Sequence, residues 1–461
     1  MKNFQLITSK VSNLQKVGNL SSTKKTTSMY LTTTLGLVVA FICLFVLKLE
    51  AQSPKGKYRN VALTNATVET ITKGTIANGT VLIVEGKIAG VGTNVSIPAG
   101  TEVIDCKGLR IYPGMIDAGT NLGLSEISTI SRTTDFNEIG EVIPQMKALT
   151  AINPNASAIP VTRISGVTTT LSIPTGGMLA GTAALINLHG YTPDQMYAGF
   201  EGIVLSFPNT GRRGFFDRRT DDEIKKASEK ALSSLNDVWE KATQYHKLDS
   251  ATKGKAGYYP ELQALVSVIR GEQTLLVEVN ASKDITAAMK WLKEKKIKKP
   301  ILTGVAEGWR VADEIAKSTI PVIAGGMLEL PSRDYDRYDK PYANPGLLKK
   351  AGVKVAIKSE SGNNNYRNLP YHAGFAVAYG MNKEDALKAI TIIPAELFGV
   401  ADKLGSIEVG KSATLFICNG DPFETKTQVS HVFIEGWQIP MVSRQTELYD
   451  EFLKREPGVK K

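Results

Sequence analysis

From residue 58 onward the chain alternates short apolar runs with polar turns, and the period of that alternation changes twice. The stretch Val61-Ala-Leu-Thr-Asn-Ala-Thr-Val-Glu-Thr and the glycine-punctuated 79–92 carry apolar and β-branched residues near every second position. That pattern predicts antiparallel strands joined by hairpins. The same texture returns at 405–411, 413–422 and 429–436. Two β-rich ends around a different middle predict a small β-sandwich domain built from 58–112 and 405–445.

The middle, 113–404, reads differently. Apolar runs at 168–173, 202–207, 274–279, 300–303, 320–324 and 353–357 are continuous, as buried parallel strands are. Amphipathic segments at 221–246, 284–296 and 308–317 lie between several of them. A further helix, 382–392, opens on Asn382 as its cap with acids in the first turn. Repeated strand-then-helix units predict a parallel sheet, and their number and length favour a closed (β/α)8 TIM-like barrel. Chemistry in such a barrel sits at the C-terminal strand ends. No internal repeat is present. Residues 253–255 and the Pro/Arg/Tyr-rich 330–345 read as loops, the second long enough to be a lid.

Residues 1–29 are polar and hold Lys10, Lys16, Lys24 and Lys25 without an acid; an apolar run then covers 35–47. A basic lead, a short apolar run and a small residue near 51 are the parts of a secretory signal. The expectation for 1–51 is a cleaved signal peptide or, with 31–34 lengthening the run, an uncleaved membrane anchor; a start at Met29 and a buried N-terminal helix are the other readings. Export follows: periplasmic or extracellular if the source is bacterial.

Composition changes this picture little. The net charge is +10, and six lysines against one glutamate in residues 1–51 account for half of it. What is left is too small to suggest nucleic acid by itself. Three cysteines leave Cys106 and Cys418 in the body, as a disulfide pair or as two packed thiols. Gly-Val-Gly at 90–92 is followed by no helix, and 202–211 lacks a terminal Gly-Lys-Ser/Thr, so neither is a phosphate loop. No Gly-x-Ser-x-Gly elbow surrounds Ser165 or Ser206.

Ile111-Tyr-Pro-Gly-Met-Ile-Asp-Ala-Gly-Thr-Asn-Leu-Gly-Leu resembles the first barrel strand of the amidohydrolase superfamily, particularly its imidazolonepropionase-like members. The block 380–400, the run Leu404-Gly-Ser-Ile-Glu-Val-Gly-Lys and Asp421-Pro-Phe are similar to that family in the same order. The resemblance covers roughly 58–436. It implies a hydrolase acting on carbon–nitrogen bonds such as cyclic amides, with water ionised on one or two zinc or other divalent ions.

The departures from the family concern those ions. The family's first-strand histidine pair falls on Gly119 and Asn121, and two later histidine positions fall on Asn280 and Gly304. Its last-strand aspartate aligns with Glu360, or less well with Ser359. No lysine at 202–207 stands ready to be a carbamylated bridge. Glycine has no donor, and an amide oxygen is a poor zinc ligand. The expectation is therefore a degenerate metal site, no resident metal, and Glu360 as the candidate catalytic carboxylate. Asp117 and Glu307 are further carboxylates near strand ends, and Lys358 neighbours Glu360.

The four histidines are His189, His246, His372 and His431. His189 and His372 are possible pocket residues, His246 an exposed one on a polar helix, and His431 a structural one in a β-domain strand. Arg163, Arg310, Arg333 and Arg367 are candidates for holding an acidic ligand. The alternative to a hydrolase is an inactive barrel that binds a small molecule, as a homo-oligomer or paired with an active relative. Membrane contact is expected only through an uncleaved N-terminal segment.

Overall fold

The computed structural model describes residues 58–126, 130–211, 217–360 and 365–456, so the reading of 1–51 lies outside the described residues. No helix among them is long and apolar enough to cross a membrane.

Both ends of the chain meet in one eight-stranded sheet. The first five strands are β1 (Val61–Glu69), β2 (Thr75–Val84), β3 (Lys87–Gly92), β4 (Glu102–Asp105) and β5 (Arg110–Pro113). The last three, β14 (Leu415–Cys418), β15 (Val429–Ile434) and β16 (Trp437–Ile439), extend it in the order β16-β15-β14-β5-β1-β2-β3, with β4 beside β1. The join is antiparallel, Phe416 opposite Tyr112 and Ile417 opposite Ile111. The strand period of two sends Ile111, Leu415, Ile417 and Phe433 to one cluster with Leu63 and Ile83. It sends Tyr112, Phe416 and Val432 to the other face, against Met115 and Val167 at the base of the barrel. Cys106 and Cys418 are buried free thiols, each pushed up to about 11 mainly by burial.

The second eight-stranded sheet follows chain order. It comprises β6 (Met115–Thr120), β7 (Val167–Ser172), β8 (Leu179–Asn187), β9 (Tyr197–Ser206), β10 (Thr274–Val279), β11 (Pro300–Gly304), β12 (Val322–Ala324) and β13 (Val355–Ile357). Its lumen is filled by alternate residues of every strand, including Ile116, Leu171, Leu185, Val204, Leu276, Ile301, Ile323 and Ala356. Their neighbours Ile203, Leu275, Val277, Leu302 and Val355 face outward under the helices. This is the TIM-like barrel the apolar runs predict, with one departure: β8 is antiparallel to both β7 and β9. The expected helix 221–246 runs further, Asp221–Ala251, and opens on a Thr220/Glu223 capping box. The expected loop 330–345 is a loop only to Asp339, because Lys340–Lys350 is helical with a proline in its first turn.

Candidate functional site

The lumen parity continues to the last residues of the strands and just beyond them. Two residues beyond Ala356 and Leu276 it falls on Lys358 and Glu278; two beyond Ile301 and Ile323 it falls on Thr303 and Gly325. The upper lumen therefore ends in a lysine, a carboxylate, a hydroxyl and a gap. A Cβ on Gly325 would meet Glu360 Oε1 and Lys358 Cε, so glycine here leaves those two side chains their present places.

Lys358 is buried, and its ammonium lies 3.5 Å from Glu360 Oε1. Burial alone would lower its pKa, but Glu360, Glu278 and Asp117 outweigh burial and raise it, so it stays charged. Glu360 itself adopts a left-handed backbone, φ +67°, uncommon for a side chain of this kind. Glu329, from the loop after β12, neighbours Glu360 beside Gly326. Burial and that neighbouring carboxyl push Glu329 above the ordinary carboxylate range. A carboxyl so placed keeps its proton more readily than a solvated one.

His372 sits on the helix Leu369–Ala378, is 2% exposed, and has no hydrogen-bond partner at either ring nitrogen. Burial pushes its pKa down to about 4, and the charge of Glu360 opposes that only in part. It is thus a neutral imidazole within the field of Glu360. Thr303 Oγ1 is likewise buried without a partner.

The other expected residues divide. Asp117 accepts the N–H groups of Gly119 at 3.2 Å and Ser359 at 3.1 Å, and the Ser359 hydroxyl as well. β6 and β13 are the two ends of the strand order, so this carboxyl stitches the barrel's closing seam. Burial pushes its pKa up to about 7 against those hydrogen bonds. Gly119 lies beneath Lys358, where a Cβ would stand 2.8 Å from Ile173 Cδ1 and 3.0 Å from Lys358 Cδ. Asn121 Oδ1 accepts the Tyr366 hydroxyl at 2.6 Å. The Asn280 amide occupies the space a side chain on Gly304 would need, and Gly304 has φ +83°.

His189 is not at the mouth. Because β8 runs backwards, its C-terminal end lies on the opposite face, where His189 is 6.3 Å from Trp437 and shares a neighbourhood with Arg163. Arg163, just before β7, donates there to Leu188 O at 3.4 Å. His246 is half-buried rather than exposed, since its helix turns that side toward its neighbours. His431 lies in β15.

Arg310 and Arg333 are taken up internally. Arg333 grips buried Glu307 through two nitrogens at 2.5 and 2.8 Å, and Ser282 completes that carboxylate at 2.9 Å. Arg310 pairs with Asp336 and stacks 4.1 Å over Trp309. Both clips pin the 325–339 loop over the strand ends, around a cavity of about 40 Å³ lined by Gly325, Gly326 and Glu329. Arg333→Ala is expected to free that loop. Losing about 1.4 kcal/mol of closure would speed proteolytic cleavage within it about tenfold, read by limited proteolysis of native protein. Unchanged cleavage would mean the clip holds nothing down. Arg367 is exposed beside the mouth.

Glu329 and Glu278 are the residues that motif reading overlooks. The lumen parity points to Glu278, and the Gly325-Gly326 pair after β12 marks where a carboxylate can approach. Among the described residues no group of three or more His, Cys, Asp or Glu side chains is set to hold a metal ion.

Comparison with known proteins agrees with the barrel and its attached sheet. A Thermotoga maritima amidohydrolase structure superposes with a TM-score of 0.73 at 25% identity, covering 83% of this chain and 100% of that one. An imidazolonepropionase of Geobacillus sp. is 26% identical over 379 residues, 74% of this chain and 84% of its own. A 5-methylthioadenosine/S-adenosylhomocysteine deaminase of Acetivibrio thermocellus is 22% identical over 76% of this chain and 85% of its own. The chain spans only 39% of another relative, amidohydrolase tasK of Hapsidospora irregularis, at 20% identity over 78% of its own length. The profile of the amidohydrolase family runs through residues 110–439, from β5 across the whole barrel to β16. With fold, strand-end blocks and that match in agreement, the chain belongs to the amidohydrolase family.

Proposed function

We propose that this chain hydrolyses a carbon–nitrogen bond of cyclic-amide type in a small molecule held at the barrel mouth, with Lys358 in place of a metal ion. The observation that carries this reading is the buried ammonium of Lys358 at the top of the lumen, amid Glu278, Glu360 and Asp117. A divalent ion wants three or four imidazole or carboxylate donors and an open position. Gly119 offers none, the Asn121 oxygen already accepts Tyr366, and the Asn280 amide packs over Gly304. A cation also repels the ammonium already among the carboxylates. The donor set does not suit the family's zinc.

In this reading Glu360 takes a proton from water as its oxygen attacks the carbonyl carbon. The carbonyl electron pair moves to oxygen, where the Lys358 ammonium balances it. When that pair returns, the C–N bond breaks and the proton of Glu329 goes to the leaving nitrogen. His372, neutral and unpartnered, is the group that would bond a polar atom of the substrate.

The test is a panel of hydantoins, dihydropyrimidines and lactams, followed by ring opening with and without chelator. Turnover is expected to survive the chelator and to fall about a hundredfold or more in Glu360→Gln. After zinc loading and desalting, mass spectrometry should find well under one ion per chain. Metal held tightly by the native chain and lost in Glu360→Ala would overturn the metal-free reading.

A second reading, an inactive barrel that binds a small molecule or supports an active relative, is favoured by one feature. Ile173 and the Lys358 stem take the space above Gly119, under a loop clipped shut by Arg333. Saturable binding of panel compounds without turnover would select it. The same proposal places the chain outside the cytoplasm, on the strength of the basic lead and apolar run in 1–51.

A further inference from the structure

Two surfaces far from the barrel mouth have no partner among the described residues. The helix Arg444–Leu453 buries none of its residues, and Tyr449, Phe452 and Leu453 are 64%, 47% and 38% exposed. With Leu448 they fall on one helical face, flanked by Asp450 and Glu451. Glu451 pairs with its own Arg455 at 2.6 Å, both side chains being more than half exposed, a pairing that competes weakly. Three large apolar side chains in water on one short helix are a surface in need of a cover.

The other surface has the opposite character. A groove of about 960 Å³ opens on the N-terminal face of the barrel, below the starts of β10, β11 and β12. Its floor is apolar, with Met289, Leu292, Ile297 and Ile320, and its rim carries Lys290, Lys293, Lys298, Lys299 and Lys317 against Glu314 and Glu396, a net positive lining. The ten residues 290–299 hold six lysines against one glutamate, a net +5. That equals the entire excess left once residues 1–51 are set aside, so the body of the chain concentrates its positive charge here. Lys298 and Lys299 donate to the carbonyls of Arg270 at 3.0 Å and Glu272 at 3.2 Å, which orients their charges without neutralising them.

We propose that the helix Arg444–Leu453 of a second copy of this chain lies in that groove. Tyr449, Phe452 and Leu453 cover the apolar floor, and Asp450 and Glu451 face Lys293 and Lys317. The helix is about 15 Å long at 1.5 Å per residue, and aromatic side chains of this size bury about 150–250 Å² each. Reciprocal exchange about a two-fold axis closes the assembly as a dimer, each copy giving a helix and receiving one. The interface is independent of any chemistry at the barrel mouth.

The chain from Tyr58 onward is one compact unit holding four packed clusters and serves for the test beside the full chain. Light scattering and sedimentation velocity at micromolar concentration should find a dimer. Tyr449→Asp with Phe452→Asp should raise its dissociation constant about tenfold or more, as should Lys293→Glu with Lys317→Glu. All these positions are on the surface, and circular dichroism checks that the fold persists. Asp450→Lys and Glu451→Lys added to the Lys293→Glu, Lys317→Glu chain should restore the dimer. A wild-type chain that stays monomeric near 100 μM overturns the proposal and leaves the groove to an acidic partner of another kind. A dimer indifferent to both pairs, or one the charge swap does not restore, overturns it equally.

Discussion

Lys358→Ala is expected to lower the unfolding free energy by about 3–5 kcal/mol at pH 8, the range for breaking a buried ion pair from one side. The carboxyls facing the ammonium lose its compensation in the variant, and the stem over Gly119 is lost as well. The loss falls in the lower half of that range, because the Glu360 side chain is 26% exposed and water screens it. Lys358→Met separates the two losses by keeping a stem of similar length without the charge. It should recover about 1–2 kcal/mol of the alanine deficit through packing alone.

The pH dependence of that deficit has a definite sign. In the wild type the raised pKa of Lys358 means its contribution is fully present below 10.5 and disappears only as pH rises through the higher folded value. Between pH 5 and 8 the lysine term is therefore constant. In the variants Asp117 and Glu329, raised by burial and no longer opposed by the ammonium, bind protons more readily when folded than when unfolded, so stability recovers as pH falls. Urea titrations of the three proteins at pH 8 and pH 5 read this directly: a large deficit at pH 8, a smaller one at pH 5. Variants within about 0.5 kcal/mol of wild type at pH 8, the scatter of an ordinary surface change, would mean that Lys358 is too well solvated to stand in for a metal.

How far the sequence reveals this site depends on which physical signal each residue leaves. The six predicted strand runs all lie on barrel strands, since a strand covered on both faces must be apolar throughout. β8 escaped because Gly181, Ala183 and Ala184 make it look like a glycine-rich loop, although every residue of it is buried. That omission misplaced His189, whose face of the barrel is decided by the reversed direction of β8. Arg333 is not legible as a paired residue because its partner Glu307 lies 26 residues away along the chain, and the main partner of Arg310, Asp336, is equally distant. Glu360 was legible from the family's last strand, whereas Glu329 comes from a loop whose course no periodicity predicts. Asp117 shows the opposite limit: its place two residues before Gly119 was plain, but its work of closing β6 onto β13 appears only once the barrel is closed.

Asp117 and His372 are expected to hide each other's effect on stability, and replacing either should uncover the other. Burial raises Asp117 from 3.8 to about 7, so between those values the folded chain holds a proton the unfolded chain has released. Stability from this group falls as pH rises from 4 to 7. Burial lowers His372 from 6.5 to about 4, so between those values the unfolded chain holds the extra proton. Stability from the histidine rises with pH from 4 to 6.5. The two slopes are each about 1.4 kcal/mol per pH unit and opposite in sign, which makes their joint contribution nearly flat there. In Asp117→Asn the amide oxygen still accepts the Gly119 and Ser359 N–H groups, and the new NH₂ donates to the Ser359 hydroxyl, so the seam survives. That variant should gain about 3 kcal/mol between pH 4 and 6.5. His372→Leu should lose a similar amount over the same interval. Thermal or urea unfolding across pH 4 to 7 measures both, and parallel profiles for the two variants would show that neither group titrates out of step with the unfolded chain. Opposite slopes would establish that the barrel mouth holds a neutral imidazole near a protonated seam carboxyl at mildly acidic pH, the condition under which His372 can offer a ligand either a lone pair or an N–H.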